Sequence, residues 1–361
     1  MEKVFMKGCE AIAEAAIRGG CRFYAGYPIT PQNQVPEYFA RRMPQVGGVF
    51  MQGESEVVSI NMLYGAAAGG TRSMISSSSC GISLMSETIG WAISAQFPCV
   101  IANVQRGGPG IGDIAPSQQD YDQATKSIAN GGGHMLVYAP ASLQETVDKM
   151  YIAFDKAEEY RSPVLMLLDG VTGGMMESVI LPEMRSDEYV AERKQKIRDE
   201  WGIAGKHDRK FRSIIGGGRA GEPLQNLNKA LVKKYEAMRK ETEYEEYQMD
   251  DAEVVITSYG VSARFAKAAV NQLRKQGYKV GMIRPVVVYP FPYEAYDKLD
   301  FGRIRGIVST EMSIPELFAN DVRAAVKERT TVDTYCTSGG VILDTNEIVK
   351  LAKEVYERME A

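Results

Sequence analysis

Histidine and cysteine are scarce in this chain, and that scarcity removes several chemistries at once. Two histidines, His134 and His207, stand among 361 residues. That is too few for a multi-histidine metal centre and leaves little choice for a histidine-dependent triad. The cysteines, Cys9, Cys21, Cys80, Cys99 and Cys336, are odd in number, scattered and never spaced CxxC. This argues against a zinc site or an iron–sulfur cluster held by this chain, and for a reducing compartment. A GxxxxGK[ST] phosphate loop is absent. So are an apolar run long enough to span a bilayer and the apolar core of a signal peptide, and the expected location is the cytoplasm. A formal charge of −4 offers no basic surface for nucleic acid or an anionic membrane.

What remains is an ordinary globular composition, 45% hydrophobic and 24% charged, in a chain long enough for two domains. Across residues 1–182, apolar strands (49–51, 72–76, 99–104, 135–138, 163–168) alternate with helices (56–68, 82–96, 142–159). The last helix opens on a capping box, Ser142 with Glu145. The alternation predicts an α/β fold with a parallel sheet covered on both faces, and ligands beyond the carboxyl ends of its strands. Residues 183–250 are heavily charged around Gly216-Gly217-Gly218 and read as a solvated helical connector, with a partner-wrapping arm as the sharper alternative. From 251 to 361 the alternation resumes: strands 253–260, 279–285 and 304–309, a helix over 261–276, and a closing amphipathic helix over 346–359. These make a second, smaller α/β domain.

Tyr27-Pro28-Ile29-Thr30-Pro31 separates an apolar run from a helix predicted over 32–42. Pro28 cannot donate a ladder hydrogen bond and stops the strand. Pro31 suits the first helical position and pushes Thr30 out of the helical region, so Thr30 is the expected N-cap. Its hydroxyl then sits at the positive end of a helix, where anions bind. A rigid strand-to-helix turn accounts for the same residues equally well.

Three other strand ends are unusual. They carry Gln52-Gly53-Glu54-Ser55-Glu56, Ser77-Ser78-Ser79-Cys80-Gly81, and Gln105-Arg106-Gly107-Gly108-Pro109-Gly110. With the Thr30 turn, these loops converge on one rim. Glu54 and Glu56 serve either chemistry or the helix dipole. The serines serve either a ligand or turn formation. Cys80 has no histidine near it in sequence to activate it. Gly108-x-Gly110-x-Gly112 has the wrong spacing for a dinucleotide loop. Arg106, beside glycines that permit close approach, either grips a carboxylate or makes a surface ion pair.

YPITP, Gly53-Glu54-Ser55-Glu56-Val57, SSSSCGISLMSETIG (76–90) and VQRGGPG (104–110) together resemble the 2-oxoacid:ferredoxin oxidoreductases. The resemblance is to the subunit carrying the pyrimidine-binding domain of the thiamine diphosphate site. It covers the first domain, including Pro140 to Asp169, and extends more loosely over 251–361. QNQVPEYF and VQRGGPGIG are most similar to the branched-chain (2-oxoisovalerate) members, with the 2-oxoglutarate members next. The resemblance implies a parallel-sheet pyrimidine-binding domain followed by a smaller domain like the C-terminal domain of transketolase. It implies that Glu56 is the catalytic carboxylate, hydrogen-bonded to the cofactor's aminopyrimidine, and that Pro28, Ile29 and Ser79 also contact the cofactor. Thr30 and Arg106 would bind the substrate carboxylate.

The family's Gly-Asp-Gly motif for diphosphate and magnesium is missing here; Leu168-Asp169-Gly170 is not that motif. The resemblance therefore implies that Mg2+ and the diphosphate are held by a partner subunit. Coenzyme A would be bound by a gamma-type subunit, and [4Fe-4S] clusters by a ferredoxin-like subunit that passes electrons to ferredoxin. Glu311 to Glu316 departs from the family's Glu-x-Asn-x-Gly-Gln and carries no implied role. The alternatives are a 2-oxoglutarate enzyme, a non-redox thiamine diphosphate decarboxylase subunit, and a non-catalytic scaffold.

Overall fold

Strands buried along their whole length set the architecture. Ser73–Ser77, Val100–Gly107, Leu136–Tyr138 and Val164–Asp169 have no exposed position, as expected where helices cover both faces of a sheet. The computed structural model describes residues 2–203, 205–206, 209–214 and 220–358. His207, Met359 and the 216–218 glycines lie outside them. The first sheet runs in the order Val287–Tyr289, Leu136–Tyr138, Val164–Asp169, Val100–Gly107, Ser73–Ser77, Phe23–Gly26, Val49–Gln52. All neighbours are parallel except the first strand, which pairs antiparallel with Leu136–Tyr138. Short strands at each end of the first domain, Glu2–Lys7 and Met176–Leu181, pair with each other.

Period-two alternation sends successive side chains to opposite faces. Met74, Val100 and Met166 pack with Ile12, Phe39 and Phe154 on one face, while Ile75, Ile101 and Leu165 pack with Ile60, Leu63 and Ile89 on the other. Each such fully buried aliphatic side chain stabilises the fold by about 1.5–3 kcal/mol. The second sheet runs Tyr244–Tyr247, Val280–Pro285, Val254–Thr257, Gly306–Glu311, Val332–Cys336, with only the first strand antiparallel.

Two boundaries differ from expectation. Tyr244–Tyr247 is a strand of the second sheet, hidden in the sequence by its acidic pair; Glu245 meets Arg284 at 2.8 Å and Lys267 at 2.5 Å. Val287–Tyr289, expected within the second domain, instead joins the first sheet. The charged helices Asp187–Glu200 and Glu222–Met238 lie on the chain's own first domain. Arg72 bonds Asp155 at 2.6 Å and Glu158 at 2.7 Å, and Arg193 joins Glu158 from the connector. Trp201 stacks on Phe97. Lys234 bonds the Gln96 side chain and the Arg161 carbonyl, and burial brings its amine down to about 8.

Glu311 ends the Gly306–Glu311 strand fully buried. Its carboxylate accepts from the N–H groups of Leu317, Phe318 and Ala319, capping the Phe318–Val326 helix. Burial outweighs those bonds and raises it from 4.5 to about 7. The native state thus binds a proton more readily than the unfolded chain. This group's contribution is fully present below 4.5 and is lost as pH rises through 7. In urea titrations, the midpoint of Glu311→Gln should therefore move upward relative to the native chain between pH 5 and pH 8. A difference independent of pH contradicts this.

Candidate active site

Four loops meet at the carboxyl edge of the first sheet. Ser55 caps the helix Glu56–Ala68, accepting from the Val58 N–H at 3.3 Å, which places Glu56 in the first turn. Glu56 is 5% exposed and has no hydrogen-bond partner among the described residues. Its neighbour is the backbone of Gly81: a Cβ there would lie 2.6 Å from Glu56 Oε1 and 2.1 Å from Ser77 Oγ. The Ser77 and Ser78 hydroxyls are buried without partners. An unpaired buried polar group costs about 1–3 kcal/mol. Two hydroxyls left so beside a carboxylate, around a glycine cradle, suit a flat ring with its own donors and acceptors. The aminopyrimidine of thiamine diphosphate has that chemistry. Glu54, two residues earlier, is exposed.

Gly81→Ala tests the cradle. The side chains its Cβ meets can swing away, so stability should change little, but Glu56 must move. An ångström of misplacement costs on the order of a hundredfold, and we expect the assembled enzyme to lose at least about tenfold in kcat, with its melting temperature nearly unchanged. Full activity means that Gly81 does not press on the working carboxylate.

The Thr30 turn differs from expectation. The helix spans Gln34–Arg42 with Asn33 at its cap position, so Thr30 is not its N-cap and Pro31 is not its first residue. A turn closed by the Gln32 N–H on the Ile29 carbonyl comes between. It is pinned there because the Gln32 side chain is fully buried and accepts from Ser76 Oγ at 2.5 Å. Pro28 and Thr30 are exposed and Ile29 half-buried on this turn. Thr30 still reaches Arg106, through its carbonyl: Arg106 Nη1 donates to it at 3.0 Å, while the Thr30 hydroxyl accepts from Asn33 at 3.4 Å.

Arg106 is 7% exposed and makes no ion pair among the described residues. Its Nη2 donates to Cys80 Sγ at 3.1 Å and to the Ile111 carbonyl at 2.9 Å, and its Nε–H is unpartnered. A buried cation whose guanidinium bonds no carboxylate directly favours an anionic ligand.

Ser79 turns the chain into the Cys80–Ala95 helix with φ of 30°, a left-handed conformation that costs a serine on the order of 1–3 kcal/mol. Its N–H donates to Asn103 Oδ1 at 3.1 Å, and its hydroxyl lies 2.6 Å from Asp120 Oδ2. Asn103 Nδ2 donates to the same Asp120 oxygen at 2.8 Å. Asp120 and Asn103 were not among the expected site residues. Asn103 had a signal in sequence, a polar side chain near the end of an otherwise apolar strand. Asp120 had none.

Asp169 is a helix cap: it accepts from the Val171 and Thr172 N–H groups at 2.9 Å each, and burial raises it to about 6. Among the described residues no group of three or more histidine, cysteine or acidic side chains could hold a metal. No helix there is long and apolar enough to cross a membrane.

A family model described as pyruvate flavodoxin/ferredoxin oxidoreductase, thiamine diphosphate-binding, matches residues 14–255. A second, pyruvate:ferredoxin oxidoreductase core domain II, matches residues 252–348. The chain is 37% identical to ketoisovalerate oxidoreductase subunit VorB of Methanothermobacter marburgensis, over 98% of each. It is 34% identical to 2-oxoglutarate synthase subunit KorA of Methanocaldococcus jannaschii, over 91% of this chain and 93% of that one. It superposes with a TM-score of 0.85 on a 2-oxoglutarate:ferredoxin oxidoreductase from Magnetococcus marinus with 2-oxoglutarate, coenzyme A and succinyl-CoA bound. That match has 24% identity and covers 98% of this chain and 65% of the other, and it bears on the fold alone.

Proposed function

This chain belongs to the 2-oxoacid:ferredoxin oxidoreductases, as a subunit with their thiamine diphosphate-binding domain, and from that premise we propose that its complex oxidatively decarboxylates a branched 2-oxoacid. The products are acyl-CoA, carbon dioxide and reduced ferredoxin. The observation that carries the reading is the buried, unpartnered Glu56 carboxylate set against Gly81 on the same sheet edge as the buried Arg106 cation.

Bound thiamine diphosphate supplies a carbon nucleophile for the 2-oxo carbon and an electron sink for decarboxylation. Glu56 would accept a hydrogen bond from the protonated pyrimidine ring nitrogen of the bound cofactor and so favour the form whose amino group can act as a base. Ile29 and Pro28 on the turn, and Ser79 behind the helix start, shape the cofactor's place. Arg106 takes the substrate carboxylate, steadied by the Thr30 carbonyl. The segment from Gly107 to Asp120 contains no lysine or arginine for a second carboxylate, and it carries Ile111 and Ile114. That favours an apolar branched side chain over 2-oxoglutarate, in keeping with the similarity to VorB.

The chain has no diphosphate motif and no cysteine cluster. Partner subunits therefore provide Mg2+ and diphosphate binding, coenzyme A binding and [4Fe-4S] clusters, with the active site at an interface. All five cysteines are free thiols, in keeping with a cytoplasmic location. The test is turnover by the reconstituted complex with 2-oxoisovalerate, 2-oxoglutarate and pyruvate. We expect the highest kcat/KM with 2-oxoisovalerate, acyl-CoA as product, and no turnover by this chain alone. Preference for 2-oxoglutarate overturns the substrate; free aldehyde without ferredoxin reduction overturns the redox reaction.

A further inference from the structure

The segment Ser117–Tyr121 links the active-site turn to the second domain. Gln118 is buried, and its side chain is held at both ends: Oε1 accepts from Ser262 Oγ at 2.5 Å and from the Met312 N–H at 3.0 Å, while Nε2 donates to the Tyr259 carbonyl at 3.0 Å. Its backbone is held as well, by its N–H to the Met312 carbonyl and by the Tyr259 hydroxyl on its carbonyl. Tyr121 then reaches Asp321 at 2.7 Å. Between these two clamped residues stands Asp120. The Asp120 N–H is fixed by Gln105 Oε1 at 3.1 Å, and Gln105 in turn donates to the Leu168 carbonyl.

Asp120 Oδ2 is the point on which the site's strained turn closes. It takes the Ser79 hydroxyl and the Asn103 amide, and Asn103 holds the Ser79 N–H with its other end. The Ser79 oxygen in turn accepts from the Arg106 N–H at 3.0 Å. One carboxylate oxygen therefore fixes a serine in a left-handed conformation immediately before Cys80 and Gly81, and a single hydroxyl separates it from the Arg106 backbone.

We propose that Asp120 is a positioning residue of this active site: it locks Ser79, and so the start of the Cys80–Ala95 helix, against Glu56, and it balances the charge of Arg106. The second domain, by clamping the residues on both sides of Asp120, holds that lock in place. Burial raises the Asp120 carboxyl, opposed by Ser79, Asn103 and the charge of Arg106. The charge-balancing half rests on the reading of Arg106 as the substrate-carboxylate ligand; the locking half does not.

The two halves separate in a set of variants made in the assembled complex. Asp120→Ala and Ser79→Ala should each lower kcat, by about thirtyfold. Because the carboxylate acts through the hydroxyl, the double variant should lose no more than about threefold beyond either single one. Asp120→Asn keeps an oxygen for both hydrogen bonds but removes the charge. It should recover most of the kcat lost in Asp120→Ala, and its KM for the oxoacid should fall about fivefold, since a bound anion then has Arg106 to itself. A residue needed only for folding would not lower KM. Losses that multiply in the double variant overturn the lock, whichever group binds the carboxylate. An unchanged or raised KM in Asp120→Asn overturns the charge balance. If Asp120→Ala does not assemble with its partners, the Asn variant decides by its kcat and KM together: kcat near the native value with lowered KM supports the proposal, and any other pair rejects it.

Discussion

Glu56→Gln in the assembled enzyme should lower kcat by at least about a hundredfold, with the complex intact and thiamine diphosphate still bound. The substitution is nearly isosteric, so the packing against Gly81 survives. What it removes is a full negative charge beside a ring nitrogen that must carry a proton, in a position only 5% exposed. Positioned proton transfer typically contributes about 10²–10⁴-fold, and a carboxylate acting on the cofactor's own activation should stand at the upper part of that range. Two measurements check it. The kcat for oxoacid-dependent ferredoxin reduction gives the size of the loss. Deuterium exchange of the cofactor's thiazolium proton, followed by quenched-flow NMR on the loaded complex, gives its origin, and should slow in parallel. Glu54→Gln, at an exposed position two residues earlier, should stay within about twofold of the native enzyme. If Glu56→Gln retains near-native kcat, the chain is a scaffold and not a catalytic subunit.

The helix that carries Glu56 shows what the sequence makes legible, whereas the choice of Glu56 over Glu54 comes only from the family resemblance. First-turn acids opening an apolar stretch are a local signal, and here it holds: the Glu56–Ala68 helix has its expected bounds. Strands buried on both faces are legible for the same reason, since each needs only its own apolar run. The carboxyl-edge location of the site follows from their alternation with helices. Expectation failed where a distant partner decides the outcome. Thr30 has the local chemistry of an N-cap, but Gln32 is drawn into the core by Ser76, 44 residues away, and the helix starts later. Asp120 and Ser79 are 41 residues apart, and the clamps on Gln118 span 141 and 194 residues. No spacing rule reaches that far. Tyr244–Tyr247 fails differently: its two glutamates give it the look of a solvated connector, and only Arg284 and Lys267 across the sheet make them tolerable in a strand.

Arg106→Lys should raise the KM for the 2-oxoacid by about ten- to a hundredfold, with a smaller loss in kcat. The expectation comes from counting donors. A guanidinium has five N–H groups. In Arg106 one on Nη1 goes to Thr30, and both on Nη2 go to Cys80 and Ile111, which leaves Nε–H and the second Nη1–H. Those two do not share an edge of the planar group, so a carboxylate arriving on the Nε side becomes bidentate only by displacing the Cys80 or the Ile111 contact. The thiol is the weaker acceptor of the two and the easier to displace. A lysine cannot reproduce this arrangement. Its three rotatable donors can reach the Thr30 carbonyl or the substrate, but they have no rigid fork to serve both. A charge-assisted hydrogen bond is worth about 1.5–3 kcal/mol, which at about 1.4 kcal/mol per decade gives the range stated. The substrate-saturation curve separates this from general damage. A lysine variant whose velocity recovers at high oxoacid concentration has lost binding; one with unchanged KM and proportionally lower kcat assigns Arg106 to holding the Thr30 turn and leaves the substrate carboxylate to another group.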